Sequence, residues 1–376
     1  MNDRLEEAAD RWGTPIYVTD VDAALANAER WREAYPEALI AYAVKANPDP
    51  SLLRRLAEEG FGFEVVGPIE LALALRTGCS PERIVVNGVG QTDIDLTEAL
   101  ATGALVNAES LSALDALLAA IPGRIGVRVN PALDAGTHPH LATGAAESKF
   151  GIALDKVTEA IARLREAGVG LASIGAHIGS GITHPQPFSR LAQLLARLAA
   201  ETGAQGIDLG GGFAGAPGAH AHAVRPYLPT GMPLILEPGR SIVGDAGWLV
   251  TRVVRTQERG HLVADAGMSE LIRPMLYGAR HPVSLIRPGA TVANRTWTLS
   301  GPICEAGDIL AHDVDLGAEV GEGALLAIGD AGAYGVAMSS SYNGRLRPAQ
   351  AVLDRGELRL SRRRETLDDL VSRDVE

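Results

Sequence analysis

The segment AYAVKANPDP (residues 41–50) puts a lysine, Lys45, inside an apolar, β-type run that ends in a proline-rich turn. Lysine is seldom buried unless it is paired or reactive. A bland lysine here would snorkel or sit on an edge strand; a reactive one would be an amine able to form a Schiff base with an aldehyde. Other chemically capable residues recur in the same setting, each in or just after a short apolar run. They are Glu64 in FGFEVV, Arg128 and Asn130 in RIGVRVN, and His177 and Ser180 in SIGAHIGS. Gly210, Gly211 and Gly212 follow in DLGGG, and Glu237, Pro238, Gly239 and Arg240 in LILEPGR. Successive glycines let backbone N–H groups close on an anion, and Arg240 would add positive charge beside them. His177 offers a flat ring for stacking, and Glu237 could hold a proton on a ring nitrogen.

The elements that would position these residues alternate from about residue 38 to 240. Apolar runs (LIAYAVKAN, FGFEVV, RIVVNG, GALVNAE, RIGVRVN, SIGAHIG, GIDLGGG, LILEPGR) are separated by segments of 3.6-residue periodicity. In DPSLLRRLAEEG, Asp49 is an N-cap, Pro50 occupies the first helical position, Leu52, Leu53 and Leu56 share a face, and Gly60 ends the helix. RLAQLLARLAAETG repeats the pattern with Leu191, Leu194, Leu195 and Leu198. The runs are nearly all apolar rather than alternating, as a parallel sheet buried on both faces requires. Eight strands each followed by a helix predict a TIM-like (β/α)8 barrel over residues 21–245, with its reactive groups at the C-terminal strand ends. Beyond it, WLVTRVVRTQERGHLVADAG, RTWTLSGP, ALLAIGDAG and AQAVLDRGELRL read as strands joined by turns, with DRGE a hairpin loop. Residues 246–376 are therefore expected to form a mostly antiparallel β domain, to which residues 1–20 add a strand through PIYVTD.

Bulk properties narrow the partners. A net charge of −12 and 4% aromatic residues disfavour nucleic acid and anionic membranes. The two cysteines, Cys79 and Cys304, fit neither a disulfide framework nor a zinc site and suit a reducing compartment. MNDRLEEAADRWG has no apolar core of a signal peptide, and no run of eighteen apolar residues occurs, so a cytoplasmic location is expected.

A phosphate, an aldehyde, a flat ring and a basic ring nitrogen together describe pyridoxal 5′-phosphate (PLP). A phospho-sugar aldolase would use the lysine and the phosphate loop but gives Glu237 no ring to hold. The motifs YAVKAN, RVNPALDAGTHPHLATGAAESKFGI, HIGSG, DLGGGF, EPGRSIVG, DAGMSELIRPMLYGAR, GPICEAGD, GAYGVAMSSSYNGRLRPA and RRRETLDDL resemble those of the fold-type III PLP-dependent decarboxylases. Among them the diaminopimelate decarboxylase branch is the most similar, over nearly the whole chain.

The resemblance implies a role for each residue. Lys45 would be the PLP lysine, His177 the residue stacked on the ring, and Glu237 the carboxylate on the pyridine nitrogen. Ser180, Gly210, Gly211, Gly212 and Gly239 would bind PLP at or near its phosphate, and Glu64 and Arg128 would also contact the cofactor. Arg240 would serve the phosphate or a substrate carboxylate, and Tyr334 the phosphate or the substrate. Arg273 and Tyr277 would hold the far carboxylate of the substrate. Cys304 would give a proton to the α-carbon and Glu305 would bind a substrate ammonium, both reaching a neighbouring active site in a homodimer. Gly181 in HIGSG, where that branch carries glutamine, and Arg280 in YGARH, where an aromatic is expected, are departures that bear on the substrate. They keep open a specialised decarboxylase of a siderophore or antibiotic intermediate, or of another basic or carrier-bound amino acid. An amino-acid racemase shares the plan, but GPICEAGD is foreign to it.

Overall fold

In a computed structural model of the protein, residues 1–134, 136, 143–293 and 295–375 are described. The chain divides into two units, Leu25–Ile242, and Met1–Ala24 with Val243–Glu376.

In the first unit, eight parallel strands among the described residues form a closed ring. In chain order they are Leu39–Ala43, Gly62–Val65, Ile84–Val86, Leu105–Ala108, Arg124–Asn130, Ser173–Gly175, Ile207–Asp208 and Leu234–Leu236. Leu234–Leu236 pairs with Leu39–Ala43, and Leu105–Ala108 pairs with Arg124–Asn130. The two-residue strand Ile152–Ala153 lies outside the ring, against the fifth strand. The intervening helices follow local sequence. Asp49 Oδ1 accepts from the N–H groups of Ser51 (2.8 Å) and Leu52 (3.2 Å), which starts the helix Pro50–Glu58. Helix Gln186–Thr202 buries Leu191, Leu195 and Leu198 and ends at Gly203, whose φ of +76° is left-handed. Side chains at the strand ends are thereby delivered to one face of the ring.

The second unit is a mostly antiparallel sheet. Ile16–Asp20 pairs antiparallel with Gly247–Gln257 and parallel with Ala349–Asp354. Ala349–Asp354 turns back into Glu357–Arg362 through Arg355 and Gly356 (φ +54° and +78°), the backbone a two-residue hairpin needs. One core cluster gathers Leu249, Leu262, Trp297, Leu299 and Leu326. The other seats Leu5 and Ala8, from an N-terminal helix Asn2–Trp12, against Ile16 and Val250. The sequence reading misses this helix because its charged residues mask a three-residue apolar stripe. No helix among the described residues is long and apolar enough to cross a membrane.

Candidate active site

Lys45 does not lie in the first barrel strand itself. It follows that strand in a single 3₁₀ turn, Val44–Ala46, which swings its side chain off the strand end. Its Nζ donates to Glu64 Oε2 at 2.5 Å; Glu64 is fully buried, whereas the lysine side chain keeps 33% of its exposure. The turn is pinned at its far end, where Tyr42 donates its hydroxyl to the Asn47 carbonyl (3.1 Å). Gly239 closes on it from the last strand: a Cβ there would stand 3.0 Å from both Ala43 Cβ and Ala46 Cβ.

Beneath the lysine, a polar network crosses the barrel floor. Asn87 Nδ2 donates to Glu237 Oε1 (2.7 Å) and to Glu64 Oε1 (3.2 Å). Asn107 donates to Asn87 Oδ1 (2.9 Å), and Ser173 to Asn107 Oδ1 (3.3 Å). The amide chain thus delivers hydrogen to both carboxylates but no charge. Glu237 is buried, and its carboxyl is held well above the usual range by burial, then by the neighbouring Asp208 and Glu64.

The glycine loop lies on the same face. Gly210 and Gly212 have φ of +64° and +98°. A Cβ on Gly211 would fall 2.1 Å from the Glu237 carbonyl oxygen and one on Gly212 1.8 Å from that of Gly179, so neither can be replaced without moving backbone. His177 lies two residues past the sixth strand, and its Nδ1 accepts from the Gly211 N–H (3.1 Å). Burial, then the charges of Arg128 and Lys45, push its pKa well below the normal value, so the ring is neutral, with its proton on Nε2. Arg240 donates to Ser180 Oγ (3.4 Å), and the residues after it are tethered by Trp31 Nε1 to Ser241 Oγ and Asn27 Nδ2 to the Ile242 carbonyl, both 3.0 Å. Arg128 pairs with buried Glu109 (3.0 Å), which also accepts from the Gly88 N–H (2.8 Å).

The β unit carries its own two groups. Arg273, buried at the start of helix Arg273–Tyr277, lies 5.3 Å from the Tyr277 ring centroid and 5.8 Å from that of Tyr334. Tyr334 adopts a φ of +58°, a left-handed backbone that costs a non-glycine residue about 1–3 kcal/mol and persists where surroundings impose it. Cys304 and Glu305 are exposed on the loop between Trp297–Ser300 and Ile309–Val314, and Glu305 accepts from the Tyr342 hydroxyl. Buried Asp308 ties this loop down, accepting from the N–H groups of Ile303 (2.6 Å) and Met268 (2.5 Å) with its two oxygens. Asp308→Asn would point an NH₂ at one of those donors. It is expected to destabilise the protein by about 1–3 kcal/mol, read by urea unfolding.

The structure thus gathers Lys45, Glu64, Arg128, His177, Ser180, Gly210, Gly211, Gly212, Glu237, Gly239 and Arg240 on the barrel. It gathers Arg273, Tyr277, Tyr334, Cys304 and Glu305 on the β unit. Ala135 and residues 137–142 of the RVNPALDAGTHPHLATG motif lie outside the described residues. Asn87, Asn107, Glu109 and Asp208 escape the sequence reading, although each is a polar residue closing an apolar run (VVN, LVNAE, ID) at the reactive ends of strands. Tyr342, in a Ser/Asn/Gly-rich loop, carries no such signal. An amine, a deep acid, a neutral ring and a close-packed glycine loop fit the aldehyde, ring nitrogen, ring face and phosphate of PLP.

Comparison with known proteins agrees. The family model "Pyridoxal-dependent decarboxylase, pyridoxal binding domain" matches residues 22–244. A diaminopimelate decarboxylase of Deinococcus radiodurans is 40% identical, covering 99% of this chain and 98% of that protein. One from Pseudomonas aeruginosa is 40% identical, covering 97% of this chain and 94% of the relative. The crystal structure of diaminopimelate decarboxylase from Helicobacter pylori complexed with L-lysine superposes with a TM-score of 0.92 at 32% identity, covering 98% of each chain. The chain belongs to the pyridoxal-dependent decarboxylases, carboxy-lyases whose cofactor is pyridoxal 5′-phosphate.

Proposed function

We propose that this enzyme removes one carboxylate of meso-diaminopimelate as CO₂ and leaves L-lysine, as a cytoplasmic homodimer. The observation that carries the chemistry is the hydrogen-bonded assembly of Lys45, Glu64, Asn87 and Glu237 across the barrel floor. The substrate assignment is supported by buried Arg273 beside two tyrosines, together with diaminopimelate decarboxylases 40% identical over nearly the whole chain.

PLP, when bound, supplies the electron sink that α-decarboxylation of an amino acid needs. Lys45 would supply the amine that anchors it, and Glu64, its hydrogen-bond partner, would orient that amine. Neutral His177 covers a ring face, and Glu237 holds the proton on the ring nitrogen. The loop of Gly210, Gly211 and Gly212 would take the phosphate with Ser180, Gly239 and Arg240, and Arg128, steered by Glu109, would add positive charge on the cofactor's side. Arg273 takes the distal carboxylate, as a guanidinium suits, and Tyr277 helps orient it. Arg240 would otherwise serve a substrate carboxylate, and Tyr334 the phosphate or the substrate. Cys304 and Glu305 would come from the partner subunit, Glu305 meeting the distal ammonium and Cys304 giving the proton that replaces CO₂. Their exposure on a loop anchored by Asp308 supports that reading.

The test supplies PLP-loaded enzyme with meso-diaminopimelate, L-lysine, L-ornithine or L-arginine and measures CO₂. Diaminopimelate alone is expected to be consumed, with one L-lysine per CO₂. CO₂ from ornithine or arginine but not from diaminopimelate would overturn the substrate, and racemisation without CO₂ would overturn the reaction.

A further inference from the structure

Asp208 lies beside the chemistry without an assigned part in it. It is 3% exposed at the end of the seventh strand. Its Oδ1 accepts from the Gly210 N–H (2.9 Å), and its carboxyl is within hydrogen-bonding reach of that of Glu237. The two residues are also linked through the backbone, the Glu237 N–H donating to the Gly210 carbonyl (2.9 Å). One aspartate therefore touches both the loop assigned to the phosphate and the acid assigned to the ring nitrogen.

Two carboxyl groups in contact in a water-poor barrel cannot both be ionised. The charges around them do not relieve this. Glu64 is a third acid, already paired with Lys45. Arg128 is paired with Glu109. His177 is neutral, and Asn87 donates hydrogen bonds but carries no charge.

We propose that Asp208 is a positioning residue that shares a single proton with Glu237 in the cofactor-free enzyme, and that Glu237 surrenders that proton when the ring nitrogen of PLP takes Asp208's place as its partner. Resting on the cofactor assignment above, this deepens it. Burial first, then Asp208 and Glu64, push Glu237 up. Asp208 is raised by burial but lowered by its bond to Glu237, so Glu237 donates and Asp208 accepts. On loading, the Glu237 O–H bond breaks. Its proton forms the ring N–H bond, or leaves to solvent where the ring arrives protonated. Either way Glu237 ends as a carboxylate facing N–H⁺. The empty barrel is thereby spared an additional buried negative charge, and the acid ionises only where a cation meets it.

The experiment is infrared difference spectroscopy on full-length enzyme with isotope-labelled glutamate carboxyls, with and without PLP. Wild type minus Glu237→Gln, both cofactor-free, is expected to show one neutral glutamic-acid band, and loading with PLP is expected to remove it completely. In cofactor-free Asp208→Asn, whose amide oxygen can still accept from Gly210 while its NH₂ takes the place of the oxygen facing Glu237, the Glu237 O–H loses its carboxylate acceptor and the band is expected to move to higher frequency or disappear. No such band in the empty wild type, or a band unmoved in Asp208→Asn, would overturn the shared proton. A band that persists once PLP's own absorbance shows it bound would overturn the hand-over. If that absorbance never appears, the cofactor assignment fails instead, while the empty-enzyme comparison still decides whether the proton is shared.

Discussion

Lys45→Ala is expected to lower kcat/KM for decarboxylation by about 10³-fold or more, the scale on which enzymes lose a catalytic nucleophile. The chain has three lysines, Lys45, Lys149 and Lys156. Lys156 pairs with Glu159 near the start of a helix, and Lys149 stands over the Phe150 ring, so neither meets the buried acids of the barrel floor. Alanine also strips Glu64 of its cation and leaves a buried carboxylate held by Asn87, so this variant should lose stability as well as activity. Lys45→Arg separates the two effects. It keeps a cation for Glu64 but has no amine to bond the cofactor, and is expected to unfold closer to wild type while remaining as inactive as the alanine variant. Steady-state CO₂ release and urea unfolding on both variants check this. More than a tenth of wild-type kcat/KM in Lys45→Arg would contradict it.

Glu237→Gln is expected to lower kcat by about 10²–10³-fold, the usual loss on removing one preorganised charge from a reacting centre. Its effect on the cofactor-free protein has the opposite sign. The folded pKa of Glu237 is raised above its ordinary value of 4.5, so the native state keeps a proton that the unfolded chain has released. The associated stability is fully present below the unfolded value and is lost as pH rises towards the folded one, at about 1.4 kcal/mol per pH unit for a single proton. Glutamine has no proton to keep. The cofactor-free variant is therefore expected to be more stable than wild type above the folded value, with the gap narrowing as pH falls from there towards 4.5. Urea unfolding of both proteins across that range reads it directly; parallel pH profiles would contradict a buried neutral Glu237.

Much of this was legible in the sequence because a parallel barrel writes itself plainly. Each of its eight strands is a short, mostly apolar run, and its chemistry collects where those runs end. Lys45, Glu64, His177, the glycine triplet and Glu237 could be picked out as residues at odds with an apolar surrounding. Asn87, Asn107, Glu109 and Asp208 obey the same rule, yet a single polar residue after a strand is also how any loop begins. What sets them apart is mutual: Asn107 is bonded to Asn87, and Asn87 to two acids on other strands. Periodicity reports which face a residue takes, not which neighbour it meets. The 3₁₀ turn under Lys45 is hidden for a related reason, since AVKA suits a strand as well as a turn and the close approach of Gly239 is tertiary.

The most direct test of the central claim, that Lys45 is the amine that holds the cofactor, is to load the enzyme with PLP, reduce it with borohydride and find the modified lysine by peptide mass. A single modification is expected, on the peptide containing AYAVKANPDP, and it should disappear in Lys45→Arg. Cofactor fixed to Lys149 or Lys156 in its place, or no fixed cofactor in an enzyme that still releases CO₂, would contradict it.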